Sequence, residues 1–168
     1  VNLGAESSFD VTIVDLDHPL AFMLGTFRAS GESNFNGATT WNVEIKKDDS
    51  DVNKVWIYNI LPAGTSDKYP VYGTVNEDKT ELRIPVGQNT KKTSSQYGWL
   101  YAFGGIEGGS LTDQVTDYMS CPITTDANGN AIISIPYIFG AYATSDAAGN
   151  DGLGWFEIML NAKLHKAK

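Results

Sequence analysis

Apolar and polar residues alternate with a period of two along much of this 168-residue chain, and the i, i+3, i+4, i+7 spacing of an amphipathic helix is nearly absent. In Trp41-Asn-Val-Glu-Ile-Lys46, the side chains of Trp41, Val43 and Ile45 point one way and those of Asn42, Glu44 and Lys46 the other. One face of such a segment meets a core and the other meets solvent. The pattern predicts an all-β domain with less than about a fifth of its residues helical, below the usual share of roughly a third.

The turn run Lys47 to Asp51 predicts a hairpin between that strand and Val55–Ile60, which is apolar on both faces. Pro62-Ala-Gly64 breaks the second strand. Val71–Val75 and Glu81–Val86 follow on either side of a turn at 76–79, with Leu82, Ile84 and Val86 on one face. Residues 87–96 read as a polar loop, Tyr97–Phe103 as a strand, and the doublets Gly104-Gly105 and Gly108-Gly109 as its end. Ser110–Met119 admits a short helix or a strand, and strand is favoured. Asn128-Gly129 sits between two apolar runs and gives the clearest hairpin signal. Trp155–Leu160 closes the series, with Phe156, Ile158 and Leu160 on one face and a basic tail beyond.

About eight to ten short antiparallel strands result, and two architectures accommodate them, a closed up-and-down β-barrel or a two-sheet β-sandwich. Near-sequential hairpins and the removal of exposed edges favour the barrel. Gly25, Gly37, Gly73 and Gly98 suit its bends and bulges. One domain over residues 20–168 is expected, with 1–19 as a leader or the end of an upstream element. The bulky apolar residues at alternate positions are expected to fill the interior.

Charge and apolar content narrow the partners. A net charge of -8 opposes nucleic-acid phosphate, and no apolar run approaches the ~20 residues of a membrane-spanning helix. The lone Cys121, ahead of Pro122 in an apolar segment, reads as a small buried hydrophobe. Val1 is taken as the start of a mature part, with any export signal or lipid-anchor Cys upstream.

The strings Trp41-Asn-Val-Glu-Ile45, Lys54-Val-Trp-Ile-Tyr-Asn-Ile60, Tyr69-Pro-Val-Tyr-Gly-Thr-Val75 and Leu82-Arg-Ile-Pro-Val-Gly-Gln88 resemble the calycin-like, or lipocalin-like, β-barrel modules of surface lipoproteins from gut anaerobic bacteria. Residues of about 20 to 160 resemble one such module, and Leu24-Gly-Thr-Phe27 resembles its opening strand. The resemblance implies export to the periplasm or outer surface and a lipid anchor, and it implies no activity, because a fold alone assigns none.

Chemical motifs are sparse. A nucleophile triad needs a His beside Ser or Cys, yet the two histidines are His18, near the start, and His165, in the basic tail, both expected in solvent. One Cys and two distant His do not supply a zinc site. Gly104–Gly109 lacks the strand-to-helix setting of a phosphate loop. Asp126–Asn130 lacks the distal Glu of a calcium loop, and the groups Asp48, Asp49, Asp51 and Asp146, Asn150, Asp151 read as solvated turns ahead of weak calcium ligands. Glu44, Glu81, Glu107 and Glu157 are available to a glycosidase, but strand parity puts Glu44 and Glu81 outside. No catalytic residue, metal or cofactor is expected.

Aromatic residues carry the remaining signal. Trp41, Trp56, Trp99 and Trp155 either fill the core or line a ligand site. Trp99 and Tyr101 are the expected ligand-binding pair, since they share a face between two loops. The expected function is a non-catalytic exported binding module for a small molecule, glycan or protein, with a lipocalin-style carrier of an apolar molecule as the alternative.

Overall fold

The computed structural model describes residues 17–94, 98–107, 113–145 and 152–167, and of residues 94 and 98–102 it describes the backbone alone. Eleven strands follow one another among the described residues: β1 (Gly25–Ser33), β2 (Gly37–Lys47), β3 (Lys54–Tyr58), β4 (Val71–Val75), β5 (Glu81–Pro85), β6 (Gln88–Ser94), β7 (Gly98–Ile106), β8 (Tyr118–Thr125), β9 (Ala131–Ile135), β10 (Ile138–Thr144) and β11 (Gly152–Lys166). A 3-10 turn at Ala21–Met23 is the one helical element among the described residues.

Eight strands close a barrel in the order β1-β2-β3-β4-β5-β8-β9-β11, each antiparallel to its neighbours. The closing pair runs from Phe27 opposite Lys166 to Ser33 opposite Met159. That pairing decides for the barrel over the sandwich, because it joins the first strand to the last and leaves the wall without an edge. The closed eight-stranded wall is consistent with a calycin-like fold.

The remaining strands extend the sheet as an arm, β10-β7-β6, from the N-terminal half of β11. Ala162–His165 of β11 pairs with β9 inside the wall, whereas the stretch from Gly152 to Met159 pairs with β10 in the arm. Antiparallel order puts the β3–β4, β5–β8 and β9–β11 connections at one end of the wall. The arm and the 59–70 loop therefore meet there.

The wall turns its alternating apolar residues inward: Trp41, Val43 and Ile45 of β2, Val55 and Ile57 of β3, Leu82 and Ile84 of β5, and Ile133 and Ile135 of β9 are buried. Each contributes roughly 1.5–3 kcal/mol by leaving water. Leu20 and Met23, from the 3-10 turn ahead of β1, add to this core. Phe103 of β7 and Phe139 of β10 are fully buried and meet edge to face at 5.9 Å, which bonds the arm to the same core.

Several expectations are corrected. Residues 88–94, read as loop, form β6: the Gln88 side chain accepts from Tyr72 N–H at 2.8 Å and donates to Tyr72 C=O at 2.9 Å, so a polar strand is fixed by amide pairing where apolar alternation is missing. β7 runs through Gly104-Gly105 to Ile106, because those glycines make room for Trp155 and Met119 and do not end the strand. β10, with no sequence counterpart above, follows β9 after the break at Pro136-Tyr137. In the 110–119 segment, Gln114 makes a lone bridge to Ile106 and pairing resumes at Tyr118, while 108–112 lie outside the described residues.

The last strand shows the largest reversal. Glu157, Met159, Ala162 and Leu164 are the buried residues of β11, and Phe156, Ile158 and Leu160 are half-buried. Two irregularities explain it. An extra residue, Phe156, separates Glu157, opposite Ala141, from Trp155, opposite Tyr142, and Asn161 has a positive φ of 52°. The basic tail is also strand, since pairing continues to Lys166 with Leu164 buried between Lys163 and His165.

Candidate functional site

A groove of about 300 Å³ opens on the arm, lined by Val86, Gly87, Phe103, Gly104, Gly105, Gln114, Val115, Thr116, Tyr142 and Trp155. It lies where two segments bordering β7 part. Gly87 N–H donates to Phe103 C=O at 2.6 Å, Val115 N–H donates to Gly105 C=O at 2.8 Å, and Gly104 remains between them. Tyr142 and Trp155, opposed across β10 and β11, meet edge to face at 5.4 Å and 88°.

Small residues let these aromatics lie down on the sheet. A Cβ on Gly104 would stand 2.9 Å from Trp155 Cη2, and one on Gly152 would stand 2.5 Å from Tyr142 Cε1. Glycine inside a strand often marks such a close approach. Gln114 and Thr116, both exposed, supply amide and hydroxyl groups at the rim. The chemistry available is ring contact plus neutral hydrogen bonding.

On the same strand as Trp155, Glu157 ties β11 to the 59–70 loop. The side chain is 1% exposed, and its Oε1 accepts from Gly64 N–H at 2.8 Å while Ala63 N–H is shared between both oxygens at 3.1 Å. Burial pushes the carboxyl above its usual range, opposed by those two N–H groups and by Lys92. Lys92 Nζ donates to Thr65 C=O at 3.4 Å. Gly64 must be glycine here, for a Cβ would stand 2.5 Å from Ala141 Cβ. The hydrogen bonding is that of a latch, with both oxygens turned to backbone donors.

Other titratable residues are absorbed by turns. Asp48 Oδ2 accepts from Ser50 N–H, Ser50 Oγ–H and Asp51 N–H, and Oδ1 accepts from Trp56 Nε1–H at 2.8 Å, which together hold its pKa at about 2. Asp126 accepts from Asn128 and Asn130 N–H, and its Oδ2 meets His165 Nε2 at 2.8 Å, so its carboxyl stays below the ordinary range. Each carboxylate faces donors of its own turn and one ring nitrogen from a strand, Trp56 of β3 or His165 of β11. Asp146, Asn150 and Asp151 are outside the described residues. No group of three or more metal-ligating side chains occurs among the described residues.

Of the two histidines expected in solvent, His165 is exposed and His18 is not. His18 is half-buried and its Nδ1 accepts from Leu20 N–H at 3.0 Å, while His165 sits on β11 against Asp126. Glu44 and Glu107 are exposed, and Glu81 bonds to Arg83 and Ser120. Cys121 is buried, and burial pushes its thiol up to about 12.

Trp99 and Tyr101 both fall on β7, with Trp99 opposite Thr93 and Thr144. Their side chains lie outside the described residues. The groove is on the same strand, at Phe103–Gly105, and its aromatic wall comes from Trp155 and Tyr142. Sequence reasoning counted Trp155 among the aromatics without singling it out, and it passed over Tyr142. The usable signal was Gly104-Gly105 read as strand interior, a place where another group comes close.

Compared with family models, with curated proteins and with solved structures, the chain matches none.

Proposed function

We propose that the domain is a non-catalytic, exported binding module that takes a small ligand in the open groove against Trp155. The observation that carries this reading is the Trp155–Tyr142 pair lying over glycines beside Gln114 and Thr116, a mostly apolar surface with a few placed polar groups. Strings at 41–45, 54–60, 69–75 and 82–88 resemble surface lipoprotein modules of gut anaerobic bacteria and support a periplasmic or outer-surface site, held by an upstream lipid anchor. A carrier with its ligand inside the barrel is less well supported, because Phe27, Trp41, Ile57 and Ile84 already occupy interior positions.

The test is a screen free of ligand preconceptions. The 15N-labelled protein is titrated with a mixed library of sugars, amines, carboxylates and fatty acids, and backbone and indole shifts are followed. Saturable shifts are expected at 87, 103–105, 114–116, 142 and 155. Saturable shifts confined to Phe27, Trp41 and Ile57 would replace this reading with the carrier, and a library without any saturable binder would remove both.

A further inference from the structure

From Thr93 to Ala162 the chain carries no lysine, arginine or histidine, against seven carboxylates: Glu107, Asp113, Asp117, Asp126, Asp146, Asp151 and Glu157. That stretch supplies β7, the 114–116 segment, β10 and the N-terminal half of β11, which is most of the groove. Asp113 and Asp117 bracket the lining residues Gln114–Thr116, and Glu107 lies across from Asp113, its N–H donating to Asp113 C=O at 3.0 Å. All three acids are exposed. Lys92 and Lys163 flank the stretch, Lys92 turning its Nζ to Thr65 C=O at 3.4 Å, and Arg83 on β5 is engaged with Glu81 and with the ring of Tyr118.

The lining itself carries no charged residue. The rim therefore repels anions, while the floor offers no ion partner to a cation. Size and shape restrict the ligand further. About 300 Å³ is the lower end of the ~300–1,000 Å³ usual for small-molecule sites, enough for one ring. An open groove leaves one side of that ring in water, which must be polar, while the side against Trp155 must be flat and apolar.

We infer that the ligand is an uncharged sugar ring of a glycan, laid on Trp155 and hydrogen-bonded by Gln114 and Thr116, and that the acidic rim discriminates against uronate-bearing chains. This rests on the groove being the binding site proposed above and adds the ligand's class. Charge selectivity comes from the field around the site, and ring contact with the neutral polar groups supplies the affinity.

The test is calorimetric titration of the whole domain with neutral gluco-, manno- and galacto-configured oligosaccharides and with uronate oligosaccharides of equal length. At least one neutral series is expected to saturate the protein, with the matching uronate at least tenfold weaker at low salt and the gap narrowing as salt is added. W155A is expected to lose tenfold or more in affinity. Because W155A also disturbs the sheet, Q114A, at an exposed position, provides the second arm, with a several-fold loss and an unchanged far-UV spectrum. Uronate binding as tight as neutral binding, or neutral binding untouched by both variants, would overturn the inference. So would failure of all three neutral series while another compound still shifts residues 103–105 and 155, an outcome that leaves the groove as the binding site. Absence of any groove ligand removes both.

Discussion

Gly64 N–H and Glu157 Oε1, ninety-three positions apart in sequence, meet at 2.8 Å and form the bond that fastens the 59–70 loop to the arm. A carboxylate in that place is costly to bury, and two backbone donors offset the cost. Removing the acceptor reverses the balance. E157A leaves the N–H groups of Ala63 and Gly64 without it, and a loss of roughly 2–4 kcal/mol is expected. E157Q keeps one acceptor oxygen but turns an NH2 toward backbone donors, for about 1–2 kcal/mol. Urea unfolding of the three proteins ranks them, and E157A as stable as the parent would refute the latch.

Acid titration separates this residue from Asp48. Because burial raises the Glu157 pKa above its ordinary 4.5, the folded protein holds the proton more tightly between 4.5 and the raised value. Stability therefore falls as pH rises through that window, and E157Q is expected to abolish this slope. Asp48 has the opposite sign. Its pKa drops from 3.8 to about 2, so the unfolded chain binds more protons in between, and stability falls as pH is lowered from about 4 to 2. D48N should make that lower limb shallower and leave the Glu157 limb unchanged, with Asp126 and Glu81, whose carboxyls are also held low, carrying the rest. Melting temperature against pH reads both limbs, and a parent-like lower limb in D48N would show that the turn bonds do not control it.

Much of the barrel wall was legible because several of its strands obey one rule. In β2, β5 and β9 the apolar residues alternate, the turns hold Asn, Asp and Gly, and burial follows parity. The arm breaks that rule for physical reasons. β6 has almost no apolar residues and is fixed by the Gln88 amide on Tyr72, a contact made across the fold. β11 is offset by the extra residue Phe156 and by Asn161, so the face predicted as core turns outward and a glutamate turns inward. Burial of Glu157 cannot be read from its neighbours in sequence, since its partners are backbone groups of a distant loop. The groove was half legible: β7 was found, but Trp155, which lies over Gly104, and its partner Tyr142 arrive from β11 and β10.

Cys121 offers a probe of global opening. Its side chain is buried on β8 and its thiol is pushed up to about 12, so almost no thiolate is present at mildly alkaline pH. A disulfide exchange reagent is expected to label the native protein only at the rate of unfolding, and at once in concentrated guanidinium. Rapid labelling of the native protein would show that β8 opens locally, contrary to its pairing with both β5 and β9.

Two glycines of the arm should respond very differently to an added methyl group. At Gly140, opposite Ile158 in the β10–β11 pair, a Cβ would stand 1.8 Å from the Glu157 carbonyl oxygen, a backbone atom that can move only if the two strands separate. At Gly104 the nearest atom is Trp155 Cη2 at 2.9 Å, the far end of a half-buried side chain that can tilt toward the groove. Overpacking against a yielding neighbour costs about 1–3 kcal/mol, and forcing the backbone costs more. G140A is therefore expected to lose more than about 3 kcal/mol or fail to fold. G104A should fold, lose about 1 kcal/mol and change the tryptophan emission through Trp155. Because the tilted indole would enter the groove, the same variant should weaken any ligand bound there while leaving the strand content unchanged. Equal losses for the two variants would mean that β10 and β11 are not held as closely as their register requires, and unaltered binding in G104A would move the ligand off Trp155.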